Sequence, residues 1–203
     1  MKVPRHFSVR SSQRGVVLLF CLIFMTSMTL LGLSATSDTI TQTQLASNLR
    51  DAALARQSAK LSLAWAEQWL KDFNGPAPQS CSSQCSGFYA HPANTLGYDL
   101  PVQSLAWWVA RGFAVGLDPV TGANLSATAS SGADPAIWIV QKLHHSPASS
   151  DGSVPPLDWY RILVRTTGSN PNTVSVLESI VSKDWSNSSA TPWSTRVSWQ
   201  ELR

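Results

Sequence analysis

No charged residue lies between Val16 and Ser37, and no proline lies between Val16 and Asn74. A single glycine, Gly32, falls in that longer interval. Proline and glycine are the residues that most often end helices, so their scarcity removes the usual cause of a break. The interval can hold one helix of roughly 87 Å at 1.5 Å per residue. Charge is scarce throughout, at 13% of the chain, which is low for a cytoplasmic protein. Catalytic signatures are missing as well. The sequence has no G-x-S-x-G, no H-E-x-x-H and no phosphate-cradling glycine loop. That leaves no motif for nucleophilic, zinc-dependent or nucleotide chemistry. The expectation is a protein that is not an enzyme and holds no cofactor.

What the N-terminal region does have is an ordered asymmetry. Lys2, Arg5, Arg10 and Arg14 precede the apolar run, with no acidic residue among them. The run itself reads VVLLFCLIFMTSMTLLGL from Val16. Its length, about 18 residues or roughly 27 Å of helix, is just enough to span a bilayer core. Basic residues are retained on the cytoplasmic side, so the remainder of the chain is expected across the membrane. Three fates are open. A cut after Gly15, in front of the run, keeps the apolar helix as working structure. A cut near Ser34-Ala35, behind it, makes the run a disposable secretory signal. No cut leaves a plain anchor. The unbroken helical pattern that follows favours the first.

The 15 Lys and Arg outnumber the 12 Asp and Glu only because of the leader. Four of those basic residues lie before Val16, and 11 remain against 12 acidic ones. No general basic field is left for nucleic acid. Cys21 lies inside the apolar run and reads as a small packing residue. Cys81 and Cys85 lie in a polar loop and should pair in an oxidising compartment. Their bond closes a short loop and pins a local turn. His91 is the histidine nearest to them, and no ligand set for a metal is apparent. His144-His145 reads as an exposed strand end. Asp118, Asp134, Asp151 and Asp158 are spread over loops without the convergence that calcium needs. Of the nine tryptophans none lies in the apolar run, and most are expected in the core of a sheet packed on the helix.

The second half of the helical interval is amphipathic. Leu45, Leu49, Ala52, Ala59, Leu63, Ala66, Leu70 and Phe73 form a stripe interrupted by Arg56, with Arg50, Asp51, Lys60, Glu67 and Lys71 opposite. The Ser- and Thr-rich stretch 36–43 is weaker helix-forming sequence. Gly75-Pro76-Ala77-Pro78 ends the helix. Period-two, β-branched segments follow, and strands are expected over 105–111, 136–143, 159–166, 173–183 and 196–202. In the third, Tyr160, Ile162 and Val164 face one way while Arg161 and Arg165 face the other. Residues 168–172, GSNPN, suit an antiparallel hairpin. The intervals 121–134 and 146–158 read as loops.

Together, QRGV at 13–16, the segment LASNLRDAALARQSAKLSLAWAEQWL from Leu45, the pair YRILVRTTG and TVSVLESIVSK, and the late RVSWQEL resemble the PilX family of type IV pilus minor pilins, relatives of the K-type pseudopilins. The N-terminal block is the more specific part, and the head is looser. The resemblance implies an α+β pilin-like fold, with a long N-terminal helix packed on an antiparallel β-sheet head. Its parts would be a prepilin leader over 1–15, a transmembrane half-helix over 16–37, a periplasmic amphipathic half over 38–74 and a β-rich head over 75–203. It implies cleavage after Gly15 by a prepilin peptidase and methylation of the new N-terminus, Val16. It further implies partnership with other minor pilins, the major pilin and an inner-membrane assembly platform, and a role in twitching motility. Most pilins carry a glutamate at mature position five, where this chain has Phe20. That departure matches subunits that prime or cap the filament at or near its tip. The competing expectation is a membrane-anchored or secreted periplasmic binding module outside any pilus.

Overall fold

A computed structural model of the chain describes residues 14–82, 85, 87–97, 99–125, 133–151, 155–185 and 194–202. Residues 1–13 of the expected leader lie outside the described residues. The fold is α+β, a long N-terminal helix and a five-stranded antiparallel sheet. Helix α1 is Arg14–Asp72, and it continues through the Ser- and Thr-rich stretch 36–43. The chain divides into two compact units, Met1–Asn48 and Leu49–Arg203. In the first unit, every residue from Gly15 to Ser34 is exposed. In the second, the last turns of α1 form the spine of a head.

The sheet comprises β3 (Phe113–Ala114), β4 (Ile137–Ser146), β5 (Leu157–Thr167), β6 (Val174–Lys183) and β7 (Ser194–Leu202), in that spatial order. Each neighbouring pair is antiparallel. A separate two-residue parallel pair joins β1 (Gln79–Ser80) to β2 (Tyr89–Ala90). The four long strands fall where period-two sequence placed them, and the turn at 168–172 joins β5 to β6.

Alternation dictates two packed faces. Tyr160, Ile162 and Val164 of β5 lie in one cluster with Trp138, Leu177 and the α1 residues Ala59, Leu63, Ala66 and Leu70. The α1 seam is narrower than the expected stripe. Leu45 and Leu49 are exposed, as is Ala52, whereas Ala55, Ser58 and Ser62 are buried. The reason is size, because small side chains let the helix backbone approach the sheet. Thr166 Oγ1 donates to the carbonyl of Ala55 at 2.8 Å. Replacing the fully buried Leu70 with alanine should cost about 2–5 kcal/mol.

Leu163 of β5 points to the opposite face, where Leu96, Leu100 and Trp108 cover it together with Ile137, Ile139 and Val176. This cover includes a correction. The stretch 105–111 is not a strand but begins with helix α2, Leu105–Val109. Ser104 caps α2 by accepting from Trp107 N at 3.3 Å, which satisfies one of the free donors of the first turn. Burial of Trp108 then outweighs the β-propensity of the aromatic run. Gly112 follows α2 because a Cβ there would stand 2.6 Å from the Trp138 carbonyl oxygen.

Strand β7 is tied to α1 by charge. Arg56 pairs with Glu201 at 3.1 Å, and Arg196 Nε donates to Glu67 Oε1 at 2.9 Å. Lys60 lies 5.8 Å from the ring centroid of Trp199. Asp51 accepts from the backbone of Ser169 and Asn170 in the β5–β6 turn. Thus Asp51, Lys60 and Glu67, expected on the outer side of the helix, meet the sheet along the flanks of the seam. The interrupting Arg56 has a partner there too.

Candidate functional site

The expected processing junction lies at the start of α1. Gly15 and Val16 belong to its first turn, and Phe20 follows one turn later. All three are exposed, and nothing lies within 4 Å of the position a Gly15 Cβ would take. The first four N–H groups of a helix have no intrahelical partner, and the junction lies among them. Beyond it the helix is long and apolar enough to cross a membrane. Three of its hydroxyls bond within the helix itself. Thr26 and Ser27 donate to the carbonyl of Ile23, and Thr29 donates to that of Met25 at 2.6 Å. Such back-bonding leaves the polar atoms no need for water.

Cys81 and Cys85 are joined by a disulfide. The bond sits at the end of β1, where Cys81 N donates to the carbonyl of Ala90 at 3.1 Å. It closes the connection between two parallel segments. His91, just after β2, is buried and bridges to Gln141 of β4. One of its ring nitrogens lies 2.8 Å from the Arg111 carbonyl oxygen, so His91 is a hydrogen-bonded core residue. Gly15, Val16 and Phe20 belong to the first compact unit, and the disulfide belongs to the second.

A polar network not legible in the sequence runs across the end of the sheet. Asp158 belongs to β5 and is buried, which corrects its reading as a loop residue. It accepts from Lys142 Nζ at 2.8 Å, and its other oxygen lies 2.7 Å from His145 Nδ1. Tyr160 Oη donates to it at 3.1 Å and accepts from Trp185 Nε1 at 3.0 Å. Burial by itself raises the Asp158 carboxyl, but the hydrogen bonds from Lys142 and His145 outweigh it and hold the pKa below the ordinary value. Burial pushes the Tyr160 phenol upward, and the Asp158 charge adds to that.

The network ends on the helix. Lys183 is 1% exposed, and its ammonium donates to the carbonyls of Leu70 and Phe73, the latter at 2.6 Å. It also sits 4.3 Å from the centroid of Trp185. The last carbonyls of a helix lack internal partners and carry the negative end of its dipole. A buried cation there caps α1. Burial pulls the Lys183 ammonium down to about 8 against the opposing charge of Asp72.

His144 and His145 do lie at an exposed strand end. Asp118 turns on its own loop, accepting from Val120 N at 2.9 Å. Among the described residues no group of three or more His, Cys, Asp or Glu side chains converges. No protein-family model, no characterised protein and no solved structure matches this chain, so its function is read from its own residues.

Proposed function

We propose that this chain is a minor pilin of the type IV pilus, anchored in the inner membrane with its head in the periplasm, and that it primes or caps the filament at or near the tip. The observation that carries the reading is α1. Its first residues are apolar and exposed over a membrane-spanning length, and its last turns are the buried spine of the head. A secretory cut near Ser34-Ala35 would fall inside that helix, with helical residues on both sides. A cut after Gly15 falls instead in its first turn and leaves the rest intact.

Further support comes from the apolar residues beyond the membrane-length run. Ile40, Leu45, Leu49 and Leu61 are all exposed on α1. Exposed apolar side chains beyond the membrane-length run suit contact with helices of neighbouring subunits. In lipid, such association depends on close packing of small residues rather than on the hydrophobic effect, and Gly32 and Ser34 offer a place for it. Phe20 deepens the assignment. A carboxylate in hydrocarbon needs a partner, and a subunit with no neighbour above it has none to offer. An uncharged side chain at mature position five therefore suits a tip position. The partners in this reading are other minor pilins and the major pilin, reached through the assembly platform.

The mature N-terminus tests the reading most directly. Sequencing of the membrane-extracted protein is expected to begin at Val16, with a methylated amine. A start near Ala35 would instead favour a secreted module, and an intact Met1 a plain anchor. A bulky or charged residue in place of Gly15 should block processing. A strain lacking the protein should show few surface pili, poor twitching and major pilin accumulating in the membrane. Normal piliation would leave a periplasmic binding module as the better account.

A further inference from the structure

The last strand of the sheet leaves one edge open among the described residues. β7 stands at the end of the strand order, and among the described residues nothing pairs with its outer side. Protein sheets usually blunt such an edge with lysine, proline or a bulge. Here the irregularity falls at Val197, between the pairs Ile180–Ser198 and Val181–Arg196. Residues 198–202, SWQEL, pair with 176–180 without interruption and contain no lysine or proline. Their one charge, Glu201, is held by Arg56 of the helix, and Trp199 lies beside Lys60. The regular half of the edge thus carries no lysine, no proline and no unpaired charge of its own.

A second observation lies on the same half. Gln200 and Leu202 of β7 line a cavity of about 370 Å³ on the sheet face away from α1, together with Leu96, Gln141, Arg161 and Glu178. Its floor is electrically complete. Arg161 Nη2 donates to Glu178 Oε2 at 2.5 Å, and both side chains are nearly buried. Gln141 Nε2 donates to the Pro92 carbonyl at 3.1 Å. An incoming charge would lose its water and find each floor charge already paired, an unfavourable exchange. An uncharged side chain meets no such cost.

We infer that the 198–202 edge of β7 is a strand-addition site, taking an extended segment of a second protein and seating one uncharged side chain of it in the adjoining cavity. The open row of backbone donors and acceptors fixes the occupant's conformation, because only an extended chain matches it. The cavity supplies selectivity, as pockets beside augmented sheets do. The proposal stands on the head alone and does not depend on how the N-terminus is processed.

The test uses the full chain in detergent micelles and a displayed library of random twelve-residue peptides. A control protein carries an Asn-Gly turn and an alternating Thr-Val strand appended after Arg203, which fills the edge in cis. Peptides recovered on the unmodified protein should alternate β-branched residues and place an uncharged side chain at one fixed position. They should slow hydrogen exchange at alternate amides within 198–202. The appended strand should weaken their binding about a hundredfold, and Gln200→Lys, at an exposed position, about tenfold. Those losses correspond to about 2.7 and 1.4 kcal/mol. Peptides that bind the filled control equally well, protection outside 198–202, or no recovered binder would overturn the proposal. So would protection of β7 that grows with protein concentration alone, which would assign the edge to a second copy of this chain.

Discussion

The carboxylate of Asp51 lies 2.5 Å from the position a Cβ on Gly168 would occupy. Asp51 reaches from α1 to the β5–β6 turn and accepts from Ser169 N. Gly168 makes room for that contact and donates its own N–H to the carbonyl of Thr173 at 2.8 Å. Helix and hairpin are thus registered on each other through one side chain and one missing side chain. Gly168→Ala should lower the thermal midpoint by displacing the carboxylate. Adding Asp51→Ala should cost less in that background than in the natural protein. Calorimetry of the two single variants and the double variant checks the non-additivity.

Lys183→Met should cost about 2–4 kcal/mol, because the buried carbonyls of Leu70 and Phe73 lose their donor. Denaturant titration measures it. The same lysine sets a pH dependence. Its pKa is about 8 in the folded protein against an ordinary 10.5, so between those values the unfolded chain holds more protons. Stability from this group is therefore lowest below pH 8 and rises with pH through that window. The rise should be absent in Lys183→Met.

Asp158 acts in the opposite range. Its folded pKa lies below the ordinary 3.8. The stabilisation by its charged form is complete above the ordinary value and is lost as pH falls through the lower folded one. Urea midpoints followed from about pH 6 down to about pH 2 should decline, and Asp158→Asn should flatten part of that decline while lowering the neutral-pH midpoint.

Replacing Cys81 and Cys85 with serine should cost about 2 kcal/mol, the loop-closure entropy of so short a ring. The loss should concentrate in β1 and β2. Hydrogen exchange is expected to rise at Cys81 and its neighbours while β5 and β6 keep their protection. Free thiols at both positions in the exported natural protein would contradict the bond.

The period-two pattern of Tyr160, Ile162 and Val164 is enough to place β5, and the breaker-free interval after Val16 is enough to place α1. Each reports a repeating local geometry. Trp107-Trp108 shows the limit. Aromatic residues suit strands in general, but the Ser104 cap and the buried site for Trp108 make this run a helix. The cap was available as a signal, since serine stands directly before the run. The two-residue pairs β1–β2 and β3–β4 are too short to leave a period. Sequence alone leaves Asp158 a loop acid, because its partners, Lys142, His145 and Tyr160, come together only once β4 and β5 are in register. At the N-terminus the candidate junction is written in contiguous residues, Arg14 to Val16, and needed no long-range contact to be found.

Two ion pairs that hold β7 to α1 join residues far apart in the chain, 145 positions for Arg56 and Glu201 and 129 for Glu67 and Arg196. A head closed by such distant partners is completed late, because loop closure precedes the reward of contact. During synthesis the helix emerges first and its flank waits unpaired until residue 202 has followed. A chain delivered across a membrane from its N-terminal side would therefore keep this flank open until β7 had passed. Strand β7 would dock only after it had arrived on the same side as the helix, so the order of delivery also sets the order of closure.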